Sequence, residues 1–136
     1  MMSKNSKNTL VINKQLPSGM IFYPLVSIAE IVGHYFGITT EEIIYGTNRQ
    51  IVFSKARHIV RWILMTHTVI RAKQYDFFED YRRFEHSQMI RSTREVNNYI
   101  SVKSDYIYND VNSIMAFIVE RRKVDETFNA IFKTNA

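Results

Sequence analysis

The chain has 136 residues, 46% hydrophobic and 23% charged, with a formal net charge of +5 and no cysteine. That length suits one domain with a single buried core, the composition excludes a disordered chain, and the missing cysteines exclude disulfide staples and thiolate metal sites. No apolar run approaches the roughly 18 residues that a bilayer span needs, and the polar start "MMSKNSKNTLVINKQLPSG" is not a signal peptide, so the expectation is a soluble cytoplasmic protein with no membrane partner.

In chain order, residues 1–22 read as a flexible extension closed by the turn signal "LPSG", with Leu10–Ile12 the one place for a strand. A helical domain follows over residues 23–124. After Pro24, Leu25, Ile28, Ala29, Val32 and Phe36 recur at helical spacing, and Gly37 supplies a stop. Thr39 and Glu42 have the spacing of a capping box, so a short second helix runs from near Thr40 to Gly46. Asn48 is placed to cap a third helix from about Arg49 to Thr66. Its buried face is Val52, Ala56, Ile59, Val60, Ile63 and Leu64, with Arg49, Lys55, Arg57 and Arg61 mostly on the other sides.

"HTVIRAKQ" reads as a connection. A short helix is expected from about Gln74 to Arg82, anchored by Phe77, Phe78 and Tyr81. A longer helix from Ser87 carries Met89, Thr93, Val96 and Ile100 on one face, and a last one carries Ile107, Val111, Ile114, Met115 and Ile118. Residues 125–136 are a short helix or a tail. No internal repeat and no strand alternation appears, so the fold class is all-α, a compact helical domain.

Nothing in the chain has the pattern of a catalytic or cofactor site. The four glycines are scattered, so there is no phosphate-cradling loop of the P-loop or dinucleotide kind and no sign of an ATPase. His34, His58, His67 and His86 fall on separate elements with no metal-ligand spacing, and Asp76, Glu79 and Asp80 read as surface ion pairs among arginines. No enzyme, cofactor or metal is expected.

The charge distribution is more informative. Residues 49–94 hold ten Lys/Arg against four acids, a net +6, so this third carries the whole excess. A basic stripe suits a polyanion. Within it, a short helix, a turn and a longer helix opening on His86, Ser87 and Gln88 have the layout of a helix-turn-helix. Gln88 suits a bidentate contact to adenine, Ser87 donates or accepts, and His86 suits a guanine or a phosphate. Arg82, Arg83, Arg91 and Arg94 flank that opening, where they would position the helix on phosphates.

The segments "HYFGITTEEII", "RQIVFSKARHIV" and "DYRRFEHSQMIRSTREVNNYI", in that order over roughly Ser27 to Ile100, resemble the C-terminal DNA-binding domain of the bacterial replication initiator DnaA, a helix-turn-helix fold of the TrpR-like superfamily. The resemblance implies that His86, Ser87 and Gln88 read bases in the major groove and that Arg49 enters the minor groove. It further implies that Arg57 lies near the backbone and that Gln74 and Tyr75 add contacts; Lys55 and Lys73 of the basic third are further candidate phosphate contacts. The sequence departs from the family at Glu85, where an aspartate is usual, at Arg82-Arg83, where a glycine pair is common, at the loop "YGTNRQ" with its single arginine, and in an extra stretch near Val69–Ala72. The implied protein is a stand-alone double-stranded DNA-binding module without the ATPase core, a replication- or transcription-related regulator of the kind a mobile element carries. The rival is a protein-interaction adaptor that kept the fold, with Phe77, Phe78, Tyr81 and Phe84 exposed to a protein partner. A third option is single-strand binding through Tyr106 and Tyr108.

Overall fold

The structure, a computed structural model, describes Leu16, residues 19–71 and residues 73–134. The strand expected at Leu10–Ile12 and most of the expected extension lie outside these residues. The described chain runs through α1 (Tyr23–Phe36), α2 (Thr40–Ile44), α3 (Ile51–His67), a 3-10 helix (Glu79–Phe84), α4 (His86–Ser101), α5 (Tyr108–Val124) and α6 (Glu126–Asn129). Among the described residues there is no strand beyond a single antiparallel bridge between Thr68 and Phe132. No helix among them is long and apolar enough to cross a membrane.

Local signals set the first two helices. Gly37 ends α1 in the left-handed region at φ 75° and donates its N–H to the Gly33 carbonyl, a conformation that costs a residue with a Cβ. Thr39 Oγ1 then accepts from Glu42 N at 3.0 Å, while Glu42 Oε1 accepts from Thr39 N at 2.8 Å, so the expected capping box is complete.

α3 is the central helix. It packs along α4 on one side and α1 on the other, and α2 seats on its first half. Leu25, Ile28, Ala29 and Val32 of α1 meet Ala56, Ile59, Val60, Ile63 and Leu64 of α3, all buried. Each of the larger side chains contributes roughly 1.5–3 kcal/mol by leaving water. α5 lies against α1 and buries Val111, Ile114 and Ile118.

Two expectations need correction, and two segments at the margins pack on the core. Asn48 does not cap α3: its Oδ1 accepts from Gln50 N at 2.9 Å, a local turn that an asparagine side chain favours over capping further on, and α3 begins at Ile51. The segment Gln74–Arg82 is not an α-helix but a turn over 73–77 followed by the 3-10 helix. Tyr75, Phe78, Tyr81 and Phe84 recur every third residue, the period at which a 3-10 helix stacks its side chains. Phe22 meets the first three of these rings at 5.9, 5.1 and 4.8 Å between centroids. Phe22, just before α1, thereby packs on the core margin. Residues 125–134 hold the short helix α6, the first of the two alternatives expected there, and pack on the core. Phe128, Ile131 and Phe132 are buried, and Val69 N and Lys133 N bond to the carbonyls of Ile131 and His67.

Candidate nucleic-acid interface

α4 presents two contrasting sides. Met89, Ser92 and Val96 are buried against α3. Ser87, Arg91, Arg94 and Asn98 follow at four, seven and eleven residues along the opposite side, and all four are exposed. Polar contacts lock the inner side. Ser92 Oγ is 2.8 Å from His58 Nδ1 and accepts from Arg61 Nη1 at 3.1 Å, and Trp62 Nε1 donates to Asn97 Oδ1 at 2.9 Å. Arg61 Nε also donates to the Arg83 carbonyl at 2.6 Å, which fixes the segment that leads into α4.

The start of α4 is capped from a distance. Glu85 is the residue before the helix, and its side chain makes no cap bond. Asp76 of the preceding loop instead accepts from His86 N at 2.8 Å, bringing a carboxylate to the positive end of the helix dipole. Ser87 Oγ reaches Glu85 Oε1 at 3.5 Å. His86 and Gln88 are half-buried and Ser87 is exposed. His86 Nδ1 is shielded from solvent and has no hydrogen-bond partner.

Of the candidate backbone contacts, Arg49, Lys73, Arg82, Arg91 and Arg94 are exposed, and Arg83 is half-buried. The ion pairs seen among the described residues lie elsewhere, at Lys55–Asp110, Arg121–Asp125 and Glu120–Lys123.

Four candidates are already occupied within the protein. Arg57 is 7% exposed and donates to the carbonyls of Glu42, Ile43, Gly46 and Asn48, closing the end of α2 and the loop that follows. Lys55 pairs with Asp110 at 3.0 Å and lies over the rings of Phe36 and Tyr106. Gln74 bonds Ile21 O and Arg71 N, and Tyr75, 1% exposed, donates to Ile21 O at 2.8 Å. Nor does Arg61 lie on an outer side of α3: it is 8% exposed. Tyr106, the single-strand candidate, packs against Tyr99 at 5.0 Å beneath Lys55.

Burial and mutual repulsion lower several basic groups behind and before α4. Burial, and then the charge of Arg83, push the Arg57 guanidinium down to about 10. Burial also pushes Arg61 to about 10, with Arg57, Arg83 and Arg91 adding repulsion and Glu95 opposing it. Arg83 is lowered by burial and by Arg82. His58 lies below its ordinary value because of burial first, with Arg61, Arg91 and Arg57 lowering it further against Glu95. The arginines around α3 and the start of α4 repel one another, opposed by Glu42 at Arg57 and by Glu95 at Arg61 and His58, a field that an anion nearby would relax.

Sequence reasoning missed two features here. One is the cap from Asp76, ten residues from the helix it serves. The other is Phe77, expected as an anchor but 86% exposed. Being off the three-residue period of its neighbours was the available signal. Among the described residues no group of three His, Asp or Glu side chains is arranged to hold a metal ion. Comparison with protein-family models, curated proteins and solved structures finds no match for this chain.

Proposed function

We propose that the protein binds double-stranded DNA without catalysing a reaction on it. α4 would meet the major groove as a recognition helix, the role that the resemblance to the initiator domain implies, with the short 3-10 segment standing where that resemblance expects the first helix. The observation that carries this reading is the outer side of α4. Ser87, Arg91, Arg94 and Asn98 are exposed there, while the opposite side is fastened to α3 by Ser92 and Asn97. Ser87 on that side, with His86 and Gln88 half-buried on its flanks, would take the base-reading roles, and Arg82, Arg83, Arg91 and Arg94, with Arg49 and Lys73, would take phosphates. Arg57, Lys55, Gln74 and Tyr75 are no longer in that set.

The test is selection of bound duplexes from a random pool, followed by variants. Gln88→Ala is expected to flatten sequence preference, because a bidentate base contact discriminates by about 1–3 kcal/mol. Arg91→Ala is expected to weaken all duplexes alike and to reduce the log–log salt slope by about 0.9. Failure to retain any duplex at low salt would falsify the reading.

A second reading, a protein-interaction adaptor, is favoured by Phe77 at 86% and Phe78 at 37% exposure, although Tyr81 and Phe84 are buried. It predicts no retained duplex, and loss of a protein complex on Phe77→Ala.

A further inference from the structure

Beside the first turn of α4 lies a groove of about 560 Å³ lined by Ile21, Arg71, Lys73, Gln74, Phe77 and Phe78, within the ~300–1,000 Å³ range of ligand pockets. Its lining is apolar and aromatic with two cations, and no carboxylate is among the lining residues. Phe78 is held in place, edge-on to Phe22 at 5.1 Å. Phe77 packs against no other ring among the described residues and is 86% exposed. The groove is joined to α4 by one residue: Asp76, between Gln74 and Phe77, accepts from His86 N.

Charge selects the class of partner. An uncharged apolar segment seated here would desolvate Arg71 and Lys73 with nothing to pair them. A nucleic acid supplies both what the ring needs and what the cations need, since each base has a π-face and each nucleotide a phosphate. Bases inside a duplex have both faces covered, so a ring reaches one only where the stack is opened.

We propose that this groove receives a base unstacked from the DNA engaged by α4, with Phe77 stacked on the base and Arg71 and Lys73 on its flanking phosphates. The proposal rests on the DNA-binding reading of α4 and adds to it a local distortion of the bound duplex.

The experiment uses the full chain with short random-core duplexes at low salt, probed with permanganate, which oxidises thymines that have left the stack. The wild-type complex is expected to show thymines more reactive than in free DNA. Phe77→Ala is expected to abolish that reactivity while still retaining duplex, with affinity about tenfold weaker, and Phe77→Trp to restore it. Because the residue is exposed, the Ala variant keeps its helical circular dichroism. Retained duplex without enhanced thymines overturns the groove assignment and leaves the reading of α4 standing. Reactivity unchanged in Phe77→Ala does the same. No retained duplex overturns both.

Discussion

Arg57 and Arg61 stand one turn apart on α3, and both are buried, yet neither is paired with a carboxylate among the described residues. What they offer is geometry. A planar guanidinium presents its donors as a fork, and Arg57 satisfies four carbonyls at 2.8 to 3.1 Å around the end of α2. Arg57→Ala removes those donors and leaves buried acceptors unmet, so it is expected to lower unfolding stability by roughly 3–5 kcal/mol. Arg57→Lys is expected to recover little, because one ammonium cannot span four carbonyls. Chemical denaturation followed by circular dichroism measures both. A phosphate-binding Arg57 would behave in the opposite way, with stability intact and DNA binding lost. The resemblance made Arg57 a DNA candidate, and its place off the apolar face of the third helix was consistent with an outward side chain. Its use as a cap for another element depends on where α2 lies, which no local spacing reports.

At the level of the elements, α4 depends on a loop for its start. Asp76 accepts from the first N–H of the helix, which Glu85 leaves unmet. Asp76→Ala is expected to cost about 0.5–2 kcal/mol, in the range of an ordinary N-cap deletion, and Asp76→Asn, which keeps the acceptor, less. Hydrogen exchange at His86, Ser87 and Gln88 reports it: those amides are expected to lose protection in the Ala variant while Val96 keeps its own. Uniform loss along α4 would instead mean that Asp76 supports the whole domain.

The elements also mark how far local signals reach. The capping box of Thr39 and Glu42 and the stop at Gly37 were legible because cap and helix are neighbours in the chain. The helix expected over Gln74–Arg82 was not there, because the apolar residues of "YDFFEDYRRF" repeat every three positions rather than at 3.6. The start of α4 was legible as a polar opening, whereas its exposed outer stripe emerged once burial of Met89, Ser92 and Val96 fixed which way the helix faces.

Across the whole molecule, two histidines sit at the junctions that hold α3 to the rest. His58 bonds Ser92 of α4. His67 lies beside the Trp62 ring at 4.8 Å, 2.6 Å from Thr66 Oγ1, where the C-terminal segment returns to α3. Both lie below their ordinary value of 6.5, each because of burial first. Neighbouring arginines add to this at His58, and Lys133 and Arg122 at His67. A depressed value in the folded state means that the unfolded chain takes up these protons first as the pH falls. The neutral histidines therefore contribute their full stability above the unfolded value, and that stability is lost as the pH drops below it toward the folded values. The denaturation midpoint is expected to be flat above about pH 7 and to decline from about pH 6.5 downward, before the carboxylates titrate near pH 4. A double variant, His58→Gln with His67→Gln, is expected to start less stable, having lost the bond to Ser92, but to show a flatter profile over that window. If its midpoint falls as steeply as that of the wild type between about pH 7 and pH 5, the protons enter elsewhere, and the arginine field around Ser92 does not govern the acid limit of the fold.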